Sequence, residues 1–140
     1  MNKKKIIAIN LVLLLWIFLD MVGLKINGHV LVSQSYQEDG LFFIIFLIIF
    51  ILYVFYEKIG KYLLTGWLFL WFSTQFYFHW FYTIFGPSEG KINYFADTIK
   101  LISSQTIYIP DLYHIILHAL ILISLIFLLI EMYLKKNRRI

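Results

Sequence analysis

Four long apolar blocks alternate with short polar segments along the chain. The first runs from Ile6 to Leu24, with Asn10 and Asp20 as its polar exceptions, and the second from Leu41 to Tyr56. The third, Tyr62 to Phe85, carries no formal charge, and the fourth, Leu112 to Leu134, is interrupted only by Glu131. A helix needs about 20 apolar residues to cross about 30 Å of hydrocarbon. The blocks therefore predict an all-α polytopic membrane protein with four transmembrane helices, over residues 6–24, 38–56, 62–85 and 111–134. The second is extended toward Gln37 because its apolar run is short for a span.

The polar segments predict how these helices connect. Glu57-Lys58-Ile59-Gly60-Lys61 is a short turn, so helices two and three should form an antiparallel hairpin. Gly86-Pro87-Ser88-Glu89-Gly90 should stop helix three. Beyond it Ile92, Phe95, Ala96, Ile99 and Ile102 recur at helical spacing between polar positions. That pattern predicts a short external amphipathic helix over 92–103, lying in the outer interface with its apolar face down. Pro110 and Asp111 suit the first turn and the positive end of the last helix. The expected architecture is one domain, residues 1–140, forming an antiparallel four-helix membrane bundle capped by the external helix.

Composition agrees with a membrane class. Hydrophobic residues make up 61% of the 140 positions and charged residues only 14%, against about 45–50% and about 25% in soluble domains. A soluble fold of this size could not hide that much apolar surface. The net charge of +4 is explained by basic residues flanking the apolar blocks, and no nucleic-acid module is present. There is no cysteine, which excludes disulfides, thiolate metal sites and a cysteine nucleophile. Lys3-Lys4-Lys5 before an apolar run also resembles a signal peptide, but the run lacks a small-residue cleavage site, so retention is expected.

Basic residues set the expected orientation. With the N-terminus inside, nine lie on the cytoplasmic side: Lys3, Lys4, Lys5, Lys58, Lys61, Lys135, Lys136, Arg138 and Arg139. Three lie outside: Lys25, Lys91 and Lys100. This bias predicts a multi-pass plasma-membrane protein with both termini cytoplasmic. The bilayer is the one partner that composition requires; a membrane-protein partner or a second copy of the chain is compatible with it.

Depth then sorts the polar residues within the blocks. Asp20 should lie roughly 6 Å below the outer end of helix one, and His79 and His118 roughly 9 Å deep in helices three and four. His114, Asp111 and Tyr82 sit above that layer, and Gln75 one turn below His79. The inner leaflet has little comparable apart from Asn10, Thr65, Ser124 and Glu131. Asp111, His114 and His118 follow i, i+3, i+7 spacing and share an arc of about 60° on one helix face. Ionisable groups in hydrocarbon cost at least about 2–3 kcal/mol each, so these should turn inward and find one another.

Several chemistries fit that layer. His79, His114 and His118 could ligate zinc, with Asp20 or Asp111 as further ligand or general base and an open position for an activated water. The product would be a hydrolase acting in the outer leaflet on a lipid or peptide-like substrate. In residue types alone, three histidines and an aspartate resemble the set of the alkaline-ceramidase-like membrane hydrolases, a resemblance that extends to no aligned stretch of chain. A haem between His79 and His118 has suitable axial geometry, but the facing positions carry no small-residue pattern to admit a porphyrin. The structural reading is that the imidazoles hydrogen-bond to carbonyls or tyrosines on neighbouring helices. Likewise the rings of helix three read as packing and an interfacial belt, and His29, Glu38 and Asp39 as solvated loop positions.

Three functions follow. Small size, basic ends and the lack of a strong motif favour a non-enzymatic membrane protein of accessory, immunity or stress type. The alternatives are the metal-dependent hydrolase and a small transporter or channel, which at four helices would need to oligomerise. No G-x-S-x-G turn or phosphate-binding glycine loop is present.

Overall fold

The structure is a computed structural model and describes residues 3–137. Arg138 and Arg139 of the basic tail lie outside the described residues. The chain is mostly helical. Helix α1 spans Lys3–Val22, a hairpin of β1 (Leu24–Ile26) and β2 (His29–Val32) follows, and α2 spans Tyr36–Phe55. Helix α3 (Glu57–Gln75) continues through a π-helical segment, Phe76–Phe81, into α4 (Tyr82–Phe85). A short helix α5 (Glu89–Tyr94) and an irregular stretch lead to α6 (Leu112–Asn137).

Three of these helices, α1, α2 and α6, are long and apolar enough to cross a membrane. The third apolar block is distributed over α3, the π segment and α4, and α3 begins with Glu57, Lys58 and Lys61, so no single α-helix there has the apolar length of the others. The helices pack α1 on α2, α2 on α3, α3 on α6 and α6 back on α1. Ile6, Leu13, Phe46, Leu68, Trp71 and Ile121 are among the side chains of the shared core. Equally apolar side chains such as Leu15, Ile48, Phe69 and Leu129 face outward. Helices apolar on both faces belong to deep cores or bilayers.

The joint between α2 and α3 is tighter than the five-residue turn that the sequence suggests. Glu57 to Lys61 are already helical, and Tyr56 alone separates the two helices. Its N–H caps α2 by donating to Leu52 O at 2.7 Å, and its carbonyl accepts from Gly60 N at 2.8 Å. Gly60 permits this: a Cβ there would stand 2.3 Å from Tyr53 Cα.

Around that joint lies a half-exposed ionic network, anchored on one buried carboxylate, that a reading of the apolar blocks does not show. Lys3 Nζ donates to Val54 O at 2.9 Å and lies 3.5 Å from Glu57. Lys135 pairs with both Glu57 and Glu131, the latter at 3.0 Å. Glu131 is only 1% exposed and accepts from the buried Tyr53 hydroxyl at 3.5 Å. The start of α1, the α2–α3 joint and the end of α6 therefore meet at one end of the molecule. Replacing Glu131 by Ala should cost about 1–3 kcal/mol, because the Tyr53 hydroxyl is left buried without an acceptor. Thermal unfolding in detergent checks this, with Glu131→Gln, which keeps an acceptor, expected to lose less.

The opposite end carries a cap that differs from the expected amphipathic helix over 92–103. Helix α5 stops at Tyr94, and the chain turns into a parallel bridge between Val30 and Thr98. Val30 N–H donates to Asp97 O at 3.3 Å, and Ile99 N–H donates to Val30 O at 2.9 Å. A helix of roughly ten residues is marginal alone, and here β2 offers backbone partners that the helix would have to forgo. The hairpin itself turns on Asn27-Gly28, with φ 51° and 84°. Positive φ at both central residues is what a two-residue turn between right-twisted strands requires, and Asn-Gly supplies it at least cost.

Candidate functional site

At the capped end, beside the hairpin and α5, the start of α2 and the end of the α3–α4 rod frame a cavity of about 720 Å³. Its wall is largely aromatic, with Phe42, Phe78, Tyr82 and Phe95 prominent. Into it project Asp20 from α1, Asp39 from α2, His79 from the π segment, Lys91 from α5 and His114 from α6.

The α6 side is built from its first turn. Asp111 precedes α6, is 1% exposed, and accepts from the His114 backbone N–H at 3.0 Å, as an N-cap does. The same carboxylate oxygen lies 2.7 Å from His114 Nδ1. One residue thus caps the helix and orients the imidazole, and an ionised Asp111 holds the proton of His114 on Nδ1. Trp16 secures the neighbouring backbone, its indole N–H donating to Tyr113 O at 3.2 Å while its ring stacks on Tyr113.

His79 owes its direction to the π segment, a widening often found at functional sites. The wider turn lets consecutive residues His79 and Trp80 both face α6. His79 Nδ1 shares a 2.5 Å hydrogen bond with the Tyr108 hydroxyl, and burial, with Asp111 nearby, raises the pKa of that phenol. The rings of His79 and His114 are 4.0 Å apart, centroid to centroid. Nε2 of each has no hydrogen-bond partner among the described residues.

His118 stands behind them, its ring 5.3 Å from that of His79. Trp80 Nε1 donates to its Nδ1 at 2.8 Å, which leaves the proton on Nε2, donated to Gln75 Oε1 at 3.2 Å. Both ring nitrogens are therefore committed, and His118 does not line the cavity. This is the arrangement of a structural hydrogen-bond network, and His118 has no lone pair left for a metal. Among the described residues no group of three or more His, Asp or Glu side chains is arranged to hold a metal ion.

Asp20 is buried, and with Ser35 and Asp39 it lines the same side of the cavity. The solvated loop expected for Asp39 is thus corrected. Helix α2 starts at Tyr36, earlier than its apolar run, and its first turn directs Asp39 into the cavity. Lys91, Tyr108 and Trp80 also belong to the site. Their contacts depend on chain segments far apart in sequence, and no local motif marks them.

Fold and site together define a mostly helical protein with three helices long and apolar enough to cross a membrane, and an aromatic-walled chamber carrying ionisable groups under one end. Compared with protein families, curated proteins and solved structures, the chain matches none.

Proposed function

We propose that this is a four-span plasma-membrane protein, both termini cytoplasmic, that admits an amphiphile from the outer leaflet and hydrolyses it with His114 as general base. The fourth crossing in this reading is the continuous rod from α3 through the π segment to α4. Its apolar part, Tyr62 to Phe85, reaches roughly 36 Å at helical rise, enough to traverse the hydrocarbon. The orientation is supported by Lys3, Lys58, Lys61 and Lys135, which belong to helix ends gathered on the side away from the chamber.

The observation that carries the catalytic reading is the open Nε2 of His114 at a cavity wall, with the buried Asp111 2.7 Å behind Nδ1. A carboxylate that fixes the tautomer leaves Nε2 as the lone pair that accepts a proton, and stabilises the imidazolium that follows. Water activated there adds to an ester or amide carbonyl of the bound head, and the proton held on His114 passes to the leaving group. A chamber large enough for a head group, with His114 on its wall, supports a substrate-binding role over a merely accessory one. Zinc is not part of this reading, because His118 is committed on both nitrogens.

The test is turnover by the full chain in nanodiscs containing ester- and amide-linked lipids, with products read by mass spectrometry. Hydrolysis is expected in the parent and should fall to background in Thr74→Trp, which fills the chamber wall. A parent that releases no product, or a Thr74→Trp variant that matches it, sinks the proposal.

A further inference from the structure

Lys91 has an environment unlike that of any other lysine described. Its ammonium lies 5.2 Å from the ring centre of Tyr82, 5.7 Å from Phe78, and 5.9 Å from both Phe95 and Tyr108. These rings come from α4, the π segment and the stretch after α5, so the cage exists only in the folded chain. Each distance falls within the roughly 6 Å over which a ring face attracts a cation. Among the described residues Lys91 forms no ion pair. Burial lowers its pKa, so the site disfavours its charge except for what the rings return.

The rest of the chamber has the opposite polarity. Asp20, Glu38, Asp39 and Asp111 line it, and Lys91 is its one Lys or Arg among the described residues. An anionic head group would meet those carboxyls. A cationic one would meet them favourably and would find four rings already arranged for it. Aromatic cages of this kind recognise quaternary ammonium, which needs no hydrogen-bond partner. Lys91 stands on a helix of six residues and has a flexible stem, so its withdrawal costs little packing.

We propose that the amphiphile taken into the chamber carries an ammonium head group, and that Lys91 is the chain's own occupant of the aromatic cage, displaced when that head enters. This rests on the chamber reading above.

Binding of tetramethylammonium to the full chain in maltoside micelles, followed by tryptophan fluorescence at constant ionic strength, tests it. Removing the competitor in Lys91→Met should tighten binding about tenfold over the parent, and Lys91→Ala should act in the same direction. Adding Tyr82→Leu to either should reverse the gain. Equal affinity in parent and both Lys91 variants overturns the proposal. So does binding of inorganic phosphate to the parent that is lost in Lys91→Met, since that would make Lys91 an anion contact. A neutral amphiphile, dodecylglycerol, separates the two levels: if it binds the parent but not Thr74→Trp while tetramethylammonium fails, only the ammonium assignment falls. If neither binds, the chamber reading falls with it.

Discussion

Replacing His114 by Gln should lower turnover in the nanodisc assay by about 10²–10⁴-fold, the range over which positioned general bases act. Glutamine retains bulk and polarity but offers no basic nitrogen to the chamber. Asp111→Asn should reduce turnover strongly as well, because an amide can donate as well as accept and no longer holds His114 to one tautomer. The same substitution keeps an oxygen able to accept from His114 N–H, so helix α6 should retain its start. His118→Gln supplies the contrast. Its partners Trp80 and Gln75 make it part of the support, and its loss should appear mainly as reduced thermal stability. A His114→Gln protein as active as the parent would remove the catalytic assignment; equal large losses at His114 and His118 would move it to the histidine cluster as a whole.

The largest effect on folding is expected at Gly60. An alanine methyl there would enter the backbone of α2, 2.3 Å from Tyr53 Cα and 2.4 Å from Tyr53 N. Backbone cannot yield as a side-chain tip can, and a one-residue joint at Tyr56 leaves no slack to part the helices. Overpacking in a core costs typically about 1–3 kcal/mol and occasionally more, and this case belongs at the upper end. Separation of α2 from α3 would also loosen Lys135 and Lys3 from Glu57. Gly66→Ala is the matched control, since a Cβ at that position meets nothing within 4 Å. Alanine is the better helix former there, so Gly66→Ala should be neutral or slightly stabilising. Thermal unfolding of the two variants in the same detergent, or the yield of monodisperse protein, reads the difference. Similar behaviour of the two would mean that α2 and α3 do not meet at Gly60.

The chemistry of the chamber was only partly legible before the fold was known. Asp111, His114 and His118 share a helix face by spacing alone, and helical rise brings His79 to a similar height. Spacing could not divide the roles of the three imidazoles. That His118 is bound on both nitrogens while His79 and His114 each keep one open depends on Trp80, Gln75 and Tyr108, which approach from other segments. Asn27-Gly28 between apolar alternations was a readable hairpin signal, and it accounts for the strand pair that apolar-block counting passes over. Asp39 looked like a loop residue because its neighbours are polar, whereas a helix that begins before its apolar run turns the first-turn carboxylate inward.

The order of apolar blocks determined by itself that the chain is mostly helical and has segments long and apolar enough to cross a membrane, because the free energy of burying apolar side chains is local and additive along the sequence. Tertiary structure alone decided where α2 meets α3, which carboxyls line the chamber, how Lys91 is ringed, and what becomes of the stretch after Tyr94. Those outcomes depend on hydrogen bonds and steric contacts between residues distant in the chain. Such interactions act over a few ångströms, and periodicity along a single helix carries no record of them.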